Sequence, residues 1–366
     1  MSVLRVALDY RPALLGRSGI PRAVRELARA LGETAASTDL DVRLFGHSWA
    51  RASAASAPRG TRLFRTRLPG RALPFLARLG LGAERLCGAA RVFHWTDYIH
   101  PPIGRHARAV LTLHDCAFAV DPDLHGDDAA VLRERTLAAI RRASLVVCPT
   151  HAAAHDAHER LGVAEAKLRV VPFGADHSLA TATAAPPFGG DDYVLMLGTI
   201  EPRKNHLRAI AAWRALAQPR PRLVVVGRAG WRCDAAVAAL RDAVLHDGAL
   251  WFCDADDSTL AVLLAHARVL LYPSLLEGFG FPPLEALRCG VPVVAGDTAA
   301  LRETCGDAAT FCAPRDVDSI REALHVALSS DALTAAAHAR RQAQAARFRW
   351  RDCALAHASV YREALA

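Results

Sequence analysis

Short runs rich in valine, leucine and isoleucine alternate along the chain with longer stretches of alanine, leucine and arginine that have helical periodicity. The short runs are almost continuously hydrophobic, as strands are when helices cover both faces of a parallel sheet. This alternation predicts an α/β fold built from doubly wound sheets. Strands are predicted at residues 3–9, 42–46, 109–113, 144–149, 168–172, 193–198, 222–227, 250–253, 268–272 and 291–295.

The predicted strands form two sets, separated by a segment that has no apolar periodicity. This segment, residues 179–192, is rich in small residues, proline and glycine, which is typical of a domain linker. We therefore expect an amino-terminal domain over 1–180, a linker over 181–192 and a second domain over 193–348. Each would be a doubly wound, Rossmann-like unit, and the two would face each other across a cleft. One large mixed sheet is the alternative, and the linker composition argues against it.

The composition is that of a soluble globular protein. Hydrophobic residues make up 52% of the chain and charged residues 22%, and no run approaches the roughly 20 apolar residues that span a bilayer. The first residues resemble a strand rather than a signal peptide, so we expect a cytoplasmic protein. The nine cysteines are scattered without a Cys-x-x-Cys pair. Because Cys148 and Cys253 lie in apolar runs, we expect reduced thiols in the core.

The chain is basic, with 45 lysines and arginines against 37 acidic residues. A positive charge suits phosphate-bearing small molecules, nucleic acid or an anionic membrane surface. Residues 51–92 hold nine arginines against one acid, Glu84, and interleave basic with apolar positions. This pattern favours either contact with anionic lipid, peripheral on the inner face of a membrane, or a solvated face. No nucleic-acid-binding motif accompanies it, so we expect no nucleic-acid partner.

The most informative segment runs from Tyr272 to Gly290 as YPSLLEGFGFPPLEALRCG. An apolar strand leads into a glycine-bearing turn and then a helix whose first turn should contain Glu285 and the two prolines before it. Gly278 and Gly280 let the backbone approach a ligand, and the free amides of a helix start suit a phosphate or a sugar oxygen. Glu277 and Glu285 bracket this loop, and their carboxylates can accept hydrogen bonds from hydroxyl groups of a nucleotide sugar.

A second strand-and-turn segment, LGTIEPRKN over residues 197–205, places two cations before a helix. Lys204 is one of only two lysines in the chain, the other being Lys167. Arg203 offers a planar fork of donors and Lys204 a compact charge, so together they can neutralise a diphosphate without a metal ion. A basic helix cap is the plainer interpretation.

Together these two motifs closely resemble family 4 of the retaining glycosyltransferases, whose members have the two-domain GT-B fold. The likeness extends to 226–231, 298–306 and 348–350, and more weakly to Asp9–Arg11, Gly16–Arg22 and Leu113–Asp115. It implies that the amino-terminal domain binds the acceptor. It also implies that a last helix over 349–366 crosses back to that domain.

The resemblance implies a role for each matching residue. Glu277 would face the transferred sugar, and Glu285 would bind the ribose. Arg203 and Lys204 would hold the diphosphate and stabilise it as it leaves, and His114 would lie beside the sugar at the reacting centre. Backbone groups would contact the donor at Gly16, Gly19, Gly278, Phe279, Gly280 and Phe281.

Rival patterns are weaker. His151, His155 and His158 share a helical face and could ligate zinc, but no glutamate accompanies them as in a His-Glu-x-x-His protease. Without the resemblance, a lone His114 would more often be structural, and Asp115 would cap a turn. The Gly-x-Gly-x-x-Gly fingerprint of dinucleotide-binding proteins is also missing after the first strand.

The sequence therefore predicts a metal-independent, retaining hexosyltransferase with a nucleoside diphosphate sugar as its donor. The motifs look most like those of bacterial mannosyl- and rhamnosyltransferases of surface-polysaccharide assembly, which makes GDP-mannose the first choice of donor. The acceptor would be a saccharide or a lipid-linked saccharide. Two alternatives remain open, a GT-B nucleotide-sugar epimerase and a catalytically silent scaffold of a polysaccharide assembly complex.

Overall fold

A computed structural model describes residues 3–16, 19–48, 57–67, 70–126, 128–177 and 187–366, with the backbone alone at Arg71. The chain divides into two compact units. Unit 1 comprises Met1–Val120, Asp128–Gly174 and Phe348–Ala366, and unit 2 comprises Asp121–Asp127 and Ala175–Arg347. Much of the linker predicted over 181–192 lies outside the described residues, and its later part holds a 3-10 turn at Pro187–Gly190.

Unit 1 contains a parallel sheet whose described strands run in the order β3-β2-β1-β4-β5-β6-β7. The chain order reverses at β1, since β1 pairs with β2 on one side and with β4 on the other. The strands are β1 Leu4–Asp9, β2 Leu40–His47, β3 Thr61–Thr66, β4 Val92–Trp95, β5 Arg108–Thr112, β6 Leu145–Cys148 and β7 Leu168–Val170. The helices are α1 Arg11–Leu15, α2 Ile20–Thr34, α3 Leu73–Arg78, α4 Ala83–Leu86, α5 Ala117–Val120, α6 Ala129–Arg142, α7 His151–Leu161 and α15 Trp350–Glu363.

Unit 2 repeats this plan with the described strand order β10-β9-β8-β11-β12-β13, again parallel. Here the chain order reverses between β8 and β11. The strands are β8 Tyr193–Leu197, β9 Arg222–Val226, β10 Leu250–Phe252, β11 Val269–Tyr272, β12 Val293–Gly296 and β13 Thr310–Cys312. The helices are α8 His206–Arg214, α9 Asp234–His246, α10 Asp257–Ala265, α11 Phe281–Arg288, α12 Ala299–Cys305, α13 Val317–Leu328 and α14 Ala335–Ala345.

Each unit is held by its own apolar core. In unit 1 the core lies between the sheet and its helices around Phe45, Phe93 and Leu111, and α15 packs against α2. In unit 2 it gathers around Trp213 and the apolar residues of β8, β9 and β11. These sheets confirm the prediction of two doubly wound α/β units. Such sheets bind ligands at the carboxyl edge, next to the point where the strand order reverses.

Three strands of the structure were not predicted from the sequence, namely β3, β4 and β13. The edge strand β3 is only partly buried and alternates with arginines, and β4 carries a histidine in its apolar run. The expectation for one cysteine was also wrong, because Cys253 is exposed whereas Cys148 is buried. Among the described residues no helix is long and apolar enough to cross a membrane.

Candidate active site

Two loops meet at the carboxyl edge of the unit 2 sheet, where the strand order reverses. One follows β8 and the other follows β11, and these two strands are paired neighbours. The backbone amide of Leu275 donates a hydrogen bond of 2.8 Å to the carbonyl of Arg203. Asn205 Nδ2 donates at 3.0 Å to the carbonyl of Pro273 from a left-handed backbone, φ 61°. These bonds fix the motif around Lys204 against the motif around Glu277.

The side chains of these loops form a compact charge cluster. Lys204 Nζ donates to Glu277 Oε1 at 2.6 Å and also to the hydroxyl of Tyr272. Arg203 Nη1 donates to Glu277 Oε2 at 3.1 Å, and its Nη2 lies 2.8 Å from Glu201 Oε1. Thus Glu277 receives a cation on each carboxylate oxygen, and Arg203 bridges two carboxylates. The side chains of Lys204 and Arg203 are 12% and 17% exposed, so a ligand at the edge can still reach them.

Burial and charge act against each other in this cluster. Burial raises the pKa of Glu277, but the charges of Lys204 and Arg203 outweigh burial and lower that pKa to about 2. Burial lowers the pKa of Lys204, and Glu277 opposes this shift. Burial also raises the pKa of Glu201. Glu277 is therefore a carboxylate at neutral pH, and a charged Lys204 is its direct partner.

The glycine loop after Glu277 is tightly built. Gly280 has φ 92° and precedes α11, and a Cβ there would lie 2.5 Å from Leu301 Cδ2. The rings of Phe279 and Phe281 pack edge to face with centroids 5.1 Å apart. A residue other than glycine at position 280 would have to displace the loop. Gly280 therefore lets the backbone turn close to the start of α11.

Glu285 occupies a different place from the one expected. It is the fifth residue of α11 and begins its second turn, because the helix starts at Phe281. It is 1% exposed, and its Oε1 accepts a hydrogen bond of 2.9 Å from His177 Nε2. The prediction that Glu285 lies in the first turn was therefore wrong. No sequence pattern indicates His177 as its partner, since the two residues are far apart in the chain.

A second group of polar residues lies at the carboxyl edge of the unit 1 sheet, again where the strand order reverses. Asp9 ends β1 and is fully buried, and its Oδ1 accepts the amide of Arg11 at 3.1 Å. The Arg11 guanidinium pairs with Asp97, which follows β4. His47 ends β2 and is 4% exposed. Asp9 and Arg11 were predicted only as weak family features, and neither His47 nor Asp97 was predicted.

Desolvation dominates the ionisation of this second group. Burial and the neighbouring Asp97 raise the pKa of Asp9 to about 8, although Arg11 opposes them. Burial and Arg11 lower the pKa of His47 to about 4. Both groups are therefore mainly neutral near pH 7. Asp9 Oδ2, Arg11 Nε and His47 Nδ1 are buried without a hydrogen-bond partner among the residues that the structure describes.

His114 follows β5 in unit 1. Its Nε2 donates to the carbonyl of Thr96 at 2.7 Å, and burial lowers its pKa. In turn, Thr96 Oγ1 donates to the carbonyl of Asp9 at 2.5 Å. Asp115 Oδ1 accepts the amide of Ala117 at the start of α5, so that carboxylate does cap a turn. His114 is thus tied to the Asp9 group, with its ring held as the neutral tautomer protonated on Nε2.

The remaining predicted residues lie at the ends of α1 and α2 in unit 1. Gly16 follows α1, and its backbone amide donates to the carbonyl of Pro12 at 3.0 Å. Gly19 caps α2 with φ 63°. The two residues between them, 17 and 18, lie outside the described part of the chain. Across the described residues no three His, Cys, Asp or Glu side chains are grouped to hold a metal ion.

These features define a class. Two Rossmann-like units, each with polar residues where its strand order reverses, are the architecture of the GT-B glycosyltransferases. The family model described as Glycosyltransferase Family 4 matches residues 17–179. The model described as Glycosyl transferases group 1 matches residues 182–348. Both halves of the chain thus match glycosyltransferase family models, and the protein is a glycosyltransferase.

Individual relatives agree with this assignment. The chain is 29% identical to O-antigen chain mannosyltransferase B of Escherichia coli, over 80% of this chain and 83% of the relative. Sucrose-phosphate synthase from Thermosynechococcus elongatus has a similar fold, with a TM-score of 0.76 at 19% identity over 98% of both chains. Anabaena Alr3699/HepE in complex with UDP and glucose gives a TM-score of 0.72 at 16% identity, over 99% of this chain and 100% of the other. At such identities the two structures show the shared GT-B fold.

Proposed function

We propose that this glycosyltransferase transfers mannose from GDP-mannose to a saccharide or lipid-linked saccharide, with retention of the anomeric configuration. The contact of Lys204 and Arg203 with Glu277, at the edge of the unit 2 sheet, carries the proposal. Support for mannose comes from the name of the E. coli relative, an O-antigen chain mannosyltransferase.

The donor diphosphate would bind Lys204 and Arg203. Both cations lie in a low-dielectric setting where they act strongly on charge that develops on a phosphate oxygen. Lys204 and Arg203 already neutralise Glu277, so a diphosphate would share or exchange these partners rather than meet two uncompensated cations. Because two fixed cations can stabilise the leaving diphosphate, we propose a metal-independent reaction.

Retention would follow from attack of the acceptor on the face that the diphosphate leaves, with a phosphate oxygen taking the acceptor proton. The alternative is a double displacement in which Glu277 attacks the anomeric carbon. A carboxylate whose two oxygens pair with Lys204 and Arg203, and whose pKa is about 2, is a poor nucleophile. We therefore assign Glu277 to sugar binding and to orientation of Lys204, and not to covalent catalysis.

The acceptor would bind at the carboxyl edge of the unit 1 sheet. The orphaned polar atoms of Asp9, Arg11 and His47 are suited to the hydroxyl groups of a saccharide, because they supply hydrogen-bond donors and acceptors in a buried setting. His114 would contact a sugar hydroxyl through Nδ1, since Nε2 is committed to Thr96.

The same unit carries an exposed apolar surface that would hold a lipid-linked acceptor near a bilayer. Phe75 and Leu79 are 63% and 64% exposed and lie on or next to α3, beside Arg78. Apolar side chains beside arginines favour anionic lipid surfaces. The rest of the basic segment predicted over 51–92 includes 51–56, 68 and 69, which lie outside the described residues.

The donor is tested by calorimetry with GDP, UDP and dTDP and their mannose, glucose and rhamnose sugars, in the presence of EDTA. We expect GDP and GDP-mannose to bind most tightly, with binding weakened in Lys204→Ala and Glu285→Ala. Preference for UDP or dTDP would reject GDP-mannose as the donor. Loss of binding with EDTA, restored by Mg²⁺, would reject metal independence.

The reaction is tested by incubating GDP-mannose with a lipid-linked saccharide and analysing the product by NMR. We expect an α-mannoside, the configuration of the donor. A β-mannoside would reject retention, and conversion of the donor sugar without any acceptor would indicate an epimerase.

Membrane contact is tested by sedimentation with phosphatidylglycerol and phosphatidylcholine vesicles. We expect binding to the anionic vesicles alone, reduced in the double variant Phe75→Ser/Leu79→Ser. The matched control is Leu245→Ser in α9, since Leu245 is 77% exposed and lies in unit 2. Equal binding by both variants and the wild type would reject this surface.

A further inference from the structure

An unassigned histidine contacts the proposed ribose-binding carboxylate. His177 Nε2 lies 2.9 Å from Glu285 Oε1, and the two side chains are 5% and 2% exposed. A buried carboxylate needs hydrogen-bond donors to offset its loss of solvation. His177 supplies such a donor, so it influences where the carboxylate points.

The backbone that carries His177 is fixed by the same helix that carries Glu285. Arg288 stands three residues after Glu285 and therefore on the same side of α11. Its Nη1 donates to the carbonyl of Ala175 at 3.0 Å and to the carbonyl of His177 at 2.8 Å. Helix α11 thus binds the backbone of segment 175–177 through Arg288 and the side chain of His177 through Glu285. The backbone position from which the imidazole extends is therefore fixed.

The ring of His177 is also held on a second side. It packs edge to face against Phe281, the first residue of α11, with centroids 6.4 Å apart and planes at 77°. The other ring nitrogen, Nδ1, is buried without a hydrogen-bond partner among the described residues. The bond to Glu285 is therefore the one hydrogen bond of this side chain within the described residues.

A carboxylate has about four lone-pair directions, so a hydrogen bond from His177 can orient Glu285 without being the sole bond that its carboxylate accepts. We propose that His177 is a positioning residue, which holds the Glu285 carboxylate in the orientation that recognises the ribose hydroxyls of the donor nucleotide. The inference rests on the proposed function and on the ribose-binding role that the family resemblance implies for Glu285.

The test compares the affinity for GDP with the affinity for 2′,3′-dideoxy-GDP, measured by calorimetry on the full-length protein. In the wild type we expect GDP to bind about 10- to 100-fold more tightly, since hydrogen bonds to a charged group are lost in the analogue. In His177→Ala this ratio should fall by about 10-fold while the affinity for the dideoxy analogue stays nearly constant. His177→Gln, which retains a donor near the position of Nε2, should keep most of the ratio.

Steady-state kinetics gives a second readout. His177→Ala should raise KM for the donor with little change in kcat, because the ribose is remote from the bond that breaks. Where His177→Ala does not fold, the pair His177→Asn and His177→Gln replaces it, since the shorter amide cannot reach Glu285. In His177→Asn the preference for GDP over 2′,3′-dideoxy-GDP should then fall, and in His177→Gln it should be retained.

Glu285→Ala separates failure of this inference from failure of the proposed function. A wild-type ratio in Glu285→Ala would reject the ribose-binding role of Glu285, and no binding of GDP to the wild type would reject the proposed function. A lowered ratio in Glu285→Ala together with a wild-type ratio in His177→Ala would overturn the positioning role alone.

Discussion

The two sheets of this glycosyltransferase present different chemistry at equivalent places. In both, polar residues cluster at the carboxyl edge where the strand order reverses. In unit 2 the cluster is ionised, since Lys204 and Arg203 each pair with Glu277. In unit 1 burial keeps Asp9 and His47 mainly neutral near pH 7. One architecture thus supports a charged edge and a largely neutral edge.

The difference follows from the local sequence. Unit 2 places two cations next to each other in one loop and a carboxylate in the neighbouring loop, so Coulomb attraction outweighs desolvation. In unit 1 a second carboxylate, Asp97, competes with Asp9 for Arg11, so desolvation prevails at Asp9. A charged edge suits a diphosphate, and a neutral edge suits hydroxyl groups.

The largest effect is expected from Lys204→Ala, which removes half of the cationic charge at the ionised edge. We expect kcat to fall by about 100- to 1000-fold, because a preorganised charge that stabilises the leaving group is lost. The measurement is initial-rate kinetics of mannose transfer, with circular dichroism to show that the fold is retained.

The matched control is the other lysine of the chain. Lys167 Nζ donates to the carbonyl of Ala143 at 2.9 Å in unit 1, away from the edge. Lys167→Ala should keep kcat within about two-fold of the wild type. An equal fall of kcat in Lys204→Ala and Lys167→Ala would contradict the prediction, because a general loss of folded structure would then explain both.

The second prediction concerns the neutral edge and the dependence of stability on pH. Asp9 has a pKa of about 8 in the folded protein and about 4 when unfolded. Between these values the folded state keeps a proton that the unfolded chain releases, so this stabilising contribution is present below pH 4 and is lost as pH rises to 8. Asp9→Asn removes it, and the stability of the wild type relative to the variant should decrease by at most about 1.4 kcal/mol per pH unit.

Urea denaturation of both proteins from pH 4 to 9 checks this outcome. The difference between the wild type and Asp9→Asn is the quantity to compare, because it cancels the contribution of His47. The pKa of His47 is lowered to about 4, so its contribution to stability rises with pH below pH 6.5, opposite to that of Asp9. Asp307→Asn, at an exposed carboxyl of unit 2, serves as the control and should follow the wild type. Parallel curves for the wild type and Asp9→Asn would show that Asp9 is ionised, and the contrast between the edges would disappear.

The smallest effect tests how tightly the charged edge is built. Gly280→Ala should destabilise the protein by about 2 kcal/mol, because a positive φ and a contact of 2.5 Å with Leu301 act together. Gly162 caps α7 in unit 1 with φ 65° and has no described atom within 4 Å of a Cβ. Gly162→Ala should cost about 1 kcal/mol from conformation alone. If thermal unfolding shows the same loss of stability in Gly280→Ala and Gly162→Ala, the loop at Gly280 accommodates a Cβ by a small shift and is not tightly packed.

Much of the fold follows from apolar runs, and the exceptions have physical causes. The pattern predicts β8 and β11 because their residues are continuously apolar and buried. It does not predict β4, because His94 interrupts the run. His94 is nevertheless fully buried, sharing hydrogen bonds of 2.8 Å with the Tyr361 hydroxyl and 2.6 Å with the Thr112 hydroxyl. No local pattern reveals a partner 267 positions further along the chain.

The candidate site divides in the same way. Arg203, Lys204 and Glu277 are recognisable because each lies in a loop after a clear strand. Asp97 was missed because it follows β4, the strand that the pattern did not reveal. The bond between His177 and Glu285 arises from tertiary packing, and no spacing in the sequence encodes it. The roles predicted for Glu285, His114 and the glycines remain predictions.

The bond between His94 and Tyr361 also bears on the order in which the protein is made. α15, which carries Tyr361, completes unit 1, yet it is translated after the whole main segment of unit 2. On the ribosome the unit 1 sheet therefore lacks α15 until Ala175–Arg347 of unit 2 has emerged. Buried His94 therefore acquires the partner of its Nδ1 only after the main segment of unit 2 has been synthesised, so unit 1 is completed later than its place at the start of the numbering suggests.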